Sequence, residues 1–182
     1  MTAPADNRAL LVVDIINPLD FPGGAQLLAQ ARPVVRNIAR LKRRFKARGI
    51  PIIYVNDNFT HWLCDFRELV AICSQPDVLG APIAQALPPE HDDYLVLKPK
   101  HSGFFASPLE VLLRQLKVRH VVVTGIAGDG CVLSTATDAH MRDFGVSVPS
   151  DCCASITTMR NRQALALLRQ SLKLDTRASR HL

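Results

Sequence analysis

Cys131 lies in the stretch "TGIAGDGCVLSTATDAH", residues 124–140, where an apolar run passes through Gly125, Gly128 and Gly130 into a helical pattern. A helix start offers unpaired N–H groups and a positive dipole end, which suit a phosphate and a thiolate alike. The phosphate reading takes "GDGCVL" as a dinucleotide turn with Asp151 on a ribose. It meets Leu133 where a third glycine should allow close helix–strand packing, and the turn falls late in the chain. No G-K-[ST] follows, so the phosphate-loop pattern of the nucleoside triphosphatases is absent.

The thiolate reading makes Cys131 a nucleophile. A helix start and a nearby Lys98 ammonium are expected to lower its pKa below the ordinary 8.5 or so, making it the one depressed thiol among the five cysteines. Asp14 can accept the thiol proton and return it to a leaving group. Backbone N–H groups of the glycine turn can face the oxygen of a tetrahedral intermediate. The set suits acyl transfer, although each residue alone has an ordinary use: a cysteine in the core, an Asp capping a turn, a lysine flanking a strand.

These residues need elements to hold them. Short β-branched runs at 9–15, 50–57, 94–98, 119–127 and 146–149 alternate with helical patterns ending near 46, at 66–74, 108–117, 130–145 and 158–172, and "LKLDT" (172–176) reads as a last short strand. Near-continuous apolar strands separated by helices predict a three-layer, doubly wound α/β fold, a mainly parallel sheet of five or six strands with helices on both faces. The segments at 17–24 and 75–92, rich in Pro, Gly and Asp, read as surface connections, and residues 1–182 as a single domain. In such sheets ligands lie beyond the carboxyl ends of the strands. Asp14, Asn56, Asp57, Lys98, the glycine turn and Asp151 all stand at those ends.

Composition narrows the partners. The chain has 182 residues, 48% of them hydrophobic, and no apolar run near the roughly 20 residues that span a bilayer. No leader is expected at "MTAPADNR", and a cytoplasmic location is the expectation. Five cysteines without a CxxC pair argue against a disulfide framework or a zinc knuckle. The net charge of +6 is dispersed and aromatics make up 5%, so no nucleic-acid partner is expected. In the densest basic cluster, Lys42, Arg43, Arg44 and Lys46 are expected on the outer face of an amphipathic helix.

Over nearly its whole length the chain resembles the isochorismatase-like cysteine hydrolases, a group that includes nicotinamidases and N-carbamoylsarcosine amidohydrolase. The resemblance is carried by "ALLVVDIINPLDF", "KPKHSGF" and "TGIAGDGCVLSTATDAHMRDFGVSVPSDCCAS". It implies catalytic roles for Asp14, Lys98 and Cys131, with Lys100 as the competing lysine and His101 where the family usually has Tyr. It also implies a cis peptide between Ile126 and Ala127, oxyanion donors at the N–H groups of Ala127 and Cys131, and a homo-oligomer. Two departures bear on the substrate. Nicotinamidases carry a metal-binding D-x-H after the second strand, whereas Phe59 stands two residues beyond Asp57 and His61 is isolated, so neither a metal nor another cofactor is expected. Vinyl-ether hydrolysis of isochorismate needs no thiol, so Cys131 points to an amide or carbamoyl C–N bond in a small-molecule substrate. That vinyl-ether hydrolysis, and a non-catalytic small-molecule or nucleotide binder of the same fold, stay open as alternatives. Phe21, Asn58, Trp62, Phe104 and Phe105 are the expected substrate-binding wall, with core packing as the alternative for each.

Overall fold

The computed structural model describes residues 6–60 and 62–182. Its centre is a six-stranded sheet in which every pairing is parallel. The strands are β1 (Arg8–Val13), β2 (Ile52–Asp57), β3 (Tyr94–Lys98), β4 (His120–Ile126), β5 (Gly145–Ser147) and β6 (Cys153–Ala154). Their spatial order is β3-β2-β1-β4-β5, and β6 continues the β5 edge by pairing with Gly125 and Ile126 of β4. The chain therefore winds outward from β1 to β3, then restarts at β4 on the other side of β1. A crevice opens at such a reversal, beyond the carboxyl ends of the two central strands.

Both faces of the sheet are covered, and the strand period of two assigns the residues. Leu10 and Val12 of β1, with Ile52 and Tyr54 of β2, pack towards α1 (Gly24–Lys46), α2 (Phe66–Cys73) and α3 (Ala81–Ala86). Ala9, Leu11 and Val13, with Ile53 and Val55, pack on the opposite face towards α4 (Leu109–Gln115), α5 (Leu133–Met141) and α6 (Thr158–Gln170). Strands with apolar residues on both faces are what a doubly covered parallel sheet requires.

Several local expectations are corrected. The segment 75–92 is not wholly a connection, because α3 forms within it with Pro82 in its first turn, where a missing N–H costs nothing. The helix expected at 130–145 begins instead as a π-helical turn, Gly128–Val132, and becomes α-helical only at Leu133. Lys42 is not on an outer face: it is buried, and its Nζ lies 2.6 Å from Asp93 Oδ2 and 3.2 Å from the Tyr54 hydroxyl. A buried ammonium is stable only when paired and hydrogen-bonded in this way. β6 was not expected, and "LKLDT" contributes one isolated bridge, Asp175 to Ser147. Among the described residues no helix is long and apolar enough to cross a membrane.

Candidate active site

Asp14 directly follows β1, and its φ of 51° lies in the left-handed region that Asp tolerates better than most side chains. Its carboxylate is pinned at both oxygens. Oδ1 accepts a hydrogen bond from the Asp57 N–H at 2.6 Å, and Oδ2 lies 2.9 Å from Lys98 Nζ. Lys98, the last residue of β3, is fully buried, and its ammonium also sits 3.6 Å from Asp57 Oδ2 and 3.6 Å from Cys131 Sγ. Three strand ends and the turn after β4 therefore converge on one ammonium. Lys100, two residues on, is exposed.

The turn that carries Cys131 is fixed from several sides. Gly125 has φ 117°, and a Cβ there would come within 2.0 Å of the Val13 carbonyl oxygen, so β1 and β4 approach as closely as they do only because this residue is glycine. The Ile126–Ala127 peptide is cis. Ile126 is buried and Ala127 half-buried. Gly128 packs against Asn161, Ser155 Oγ accepts from the Asp129 N–H at 3.0 Å, and Arg160 Nε meets Asp129 Oδ2 at 2.5 Å. Sequence reasoning named none of Ser155, Arg160 and Asn161; they lie in and just before α6, and only the folded chain brings them to the turn.

Burial and charge set the proton positions. Burial raises the Asp14 pKa, and the Lys98 ammonium offsets this only in part, so Asp14 is a stronger base than an ordinary carboxylate. Burial opposes the charge on Lys98, but Asp14 first, then Cys131 and Asp57, together outweigh it and its pKa is raised. The expectation of a depressed Cys131 thiol is overturned. Burial pushes its pKa up, the Asp14 carboxylate adds to that, and Lys98 compensates incompletely. Cys131 thus rests as a thiol beside a carboxylate able to take its proton.

Among the expected wall residues, Phe21 lines a cleft of about 660 Å³ with Pro18, Asp20, Gln26 and Leu79. Asn58 Oδ1 accepts from the backbone N–H groups of Thr60 and Trp62, so it organises the loop after β2, and its Nδ2 is buried without a hydrogen-bond partner among the described residues. Trp62 and Phe105 are exposed. Phe104 instead belongs to the core: it is 5% exposed, with its ring 5.9 Å from that of Phe144. His61 lies outside the described residues. Among those described, no group of three His, Cys, Asp or Glu side chains could hold a metal ion. A divalent ion at Asp57 would face the Lys98 ammonium, and the second position beyond it offers only a phenyl ring, so these residues do not fit the nicotinamidase metal set. One neighbour was overlooked as a functional group: His101 Nδ1 is 3.7 Å from Cys131 Sγ.

With this geometry in place, an isochorismatase domain is matched over residues 8–176. The chain belongs to the isochorismatase family. It is 38% identical over 166 residues to the uncharacterised isochorismatase family protein YaaI of Bacillus subtilis strain 168, covering 91% of both chains. Among solved structures, N-carbamoylsarcosine amidase from Thermoplasma acidophilum superposes with a TM-score of 0.70 at 26% identity, covering 95% of this chain and 96% of the other. The nicotinamidase SaPncA from Staphylococcus aureus superposes with a TM-score of 0.71 at 22% identity over 94% and 98%. The sheet and its flanking helices are thus those of isochorismatase-family hydrolases, and the two solved structures that share them are named as an amidase and a nicotinamidase.

Proposed function

We propose that this isochorismatase-family protein is a cysteine hydrolase that cleaves the C–N bond of a small amide or carbamoyl compound. The observation that carries the reading is the position of Lys98 Nζ, 2.9 Å from the Asp14 carboxylate and 3.6 Å from Cys131 Sγ. Cys131 sulfur attacks the carbonyl carbon while the thiol proton passes to Asp14. The oxyanion that forms is stabilised by the N–H groups of Ala127 and Cys131, donors of a kind worth about 3–4 kcal/mol each. Asp14 then protonates the leaving nitrogen, the C–N bond breaks, and an acyl-enzyme remains for water to hydrolyse. Lys98 offsets the negative charge that passes between Asp14 and Cys131.

A half-buried thiol with a raised pKa is compatible with this chemistry because deprotonation is coupled to attack and the acceptor is a carboxylate whose own pKa is raised. No step needs a metal. Phe21, Asn58, Trp62 and Phe105 are assigned to substrate selection, and from family likeness the enzyme works as a homo-oligomer. The test is a screen of small amides, carbamoyl compounds and ureido acids for ammonia release, run beside Cys131→Ala. Release that depends on Cys131 supports the reading. Hydrolysis of an isochorismate-type vinyl ether that survives Cys131→Ala would replace it.

A further inference from the structure

The sulfur of Cys131 lies between two nitrogens, and the mechanism above uses only one. Lys98 Nζ approaches at 3.6 Å from the buried side, and His101 Nδ1 at 3.7 Å from the exposed side. Although its side chain is exposed, His101 stands on a fixed stretch of backbone. The next residue, Ser102, donates its hydroxyl to Asp138 of α5. The Gly103 N–H donates to the buried Thr135 hydroxyl at 2.9 Å, and a Cβ at Gly103 would meet Val55 Cγ1 at 2.8 Å. Phe104 then locks into the core. A backbone anchored so closely to α5 keeps His101 beside Cys131 before substrate arrives, and proximity of that kind is what a reacting group needs.

We propose that His101 is a catalytic residue of the second half-reaction, the general base that activates water against the Cys131 acyl-enzyme. The proposal rests on the acyl-enzyme reading above and deepens it. Asp14 stands on the buried side of the sulfur, 3% exposed, with Oδ1 taking the Asp57 N–H and Oδ2 beside Lys98, whereas His101 stands on the open side from which water reaches the thioester. In the step, water oxygen bonds to the acyl carbon and the imidazole takes one of its protons. The C–S bond then breaks, its electron pair stays on sulfur, and the proton held by the imidazole returns to the thiolate. Carboxylic acid and free Cys131 are the products. An imidazole can act on such a water directly, or through one further water, at hydrogen-bond reach.

The probe is p-nitrophenyl acetate, whose leaving group needs no proton, so acylation reports on Cys131 and turnover on deacylation. In the wild type, stopped-flow absorbance is expected to show nitrophenolate release with acetyl transfer to Cys131. In His101→Gln the first turnover should keep its rate and reach about one equivalent. Steady-state turnover should then slow at least about tenfold, with acetyl-Cys131 accumulating by intact mass, as expected for loss of a general base. His101→Tyr, which restores the residue usual in the family, should behave the same way. A purely structural role would slow both phases together, and that result, or unchanged turnover without accumulation, overturns the proposal while leaving the acyl-enzyme intact. Failure of the wild type to acetylate at Cys131 overturns both.

Discussion

Asp14 and Lys98 meet at 2.9 Å although they follow or end strands, β1 and β3, that β2 separates in the sheet. The contact reaches over the end of β2, whose Asp57 contributes its N–H to Asp14 and its carboxylate to Lys98. Parallel order makes this possible, because all three strands bring their carboxyl ends to the same edge. Removing either member of a buried ion pair leaves an uncompensated charge and typically costs about 3–5 kcal/mol.

Lys98→Met tests the electrostatic half of that relationship. The ammonium lowers the Asp14 pKa against the effect of burial, so its loss must raise that pKa further. Activity that requires the carboxylate should therefore set in at higher pH than in the wild type, and turnover should fall by at least about a hundredfold, within the range of a lost charge-stabilising group. Rate against pH for any amide the enzyme hydrolyses decides it. An acid limb that stays in place or moves downward removes Lys98 from the role.

The five thiols should respond differently to alkylation. Cys73, Cys152 and Cys153 are buried, and burial pushes the first to about 11 and the second to about 12. Cys131 is only half-buried, with a raised pKa. Iodoacetamide labelling of Cys131 should therefore climb steadily from neutral into alkaline pH, since the thiolate fraction grows about tenfold per unit below the pKa. Peptide mapping by mass spectrometry gives the profile. A plateau already reached at acidic pH would mean a preformed thiolate and no need for Asp14 as base.

The layer order and the principal strands were legible because strand-length apolar runs separated by amphipathic stretches have few other solutions. The strand-end rule then brought Asp14, Lys98 and Cys131 to one edge. What stayed hidden depends on packing across long sequence separations. Lys42 reads as a surface cation because its partners, Asp93 and Tyr54, lie in other elements. Phe104 reads equally well as wall or core until Phe144 is placed beside it. A helix start and a lysine predict a depressed Cys131 pKa, and burial and the Asp14 charge, which only the folded chain supplies, override them. His101 stood three residues from Lys98, but nothing in its spacing shows that the chain turns back to the sulfur.

Gly125→Ala should be severe. A positive φ of 117° is strained for any L side chain, and the added Cβ would sit 2.0 Å from the Val13 carbonyl oxygen, a backbone atom that cannot move without shifting β1 against β4. We expect a loss of more than about 3 kcal/mol in urea unfolding, as for other strained or overpacked backbone sites. Gly49→Ala is the control, since it also has positive φ, at 69°, but meets nothing within 4 Å, and should cost only about 1 kcal/mol. Equal effects at the two positions would show that the close approach of β1 and β4 does not matter to stability.

Asp14→Asn separates the proton transfer proposed for this residue from its part in the fold. An asparagine can still accept the Asp57 N–H through its Oδ1, but it cannot take the thiol proton, so amide turnover should fall by about 10²–10⁴. Stability should move the other way with pH. The Asp14 pKa in the fold is raised above its ordinary 3.8, so the folded state binds this proton more readily than the unfolded chain. The resulting stabilisation is complete below the unfolded pKa and is lost as pH rises through the folded one. Asparagine has no such loss. The stability of Asp14→Asn relative to the wild type should therefore increase from acid towards neutral pH, measured by urea unfolding at a series of pH values. A relative stability that falls over that range would mean that the ion pair with Lys98 outweighs burial at Asp14, and that the carboxylate is too well stabilised to be the base proposed here.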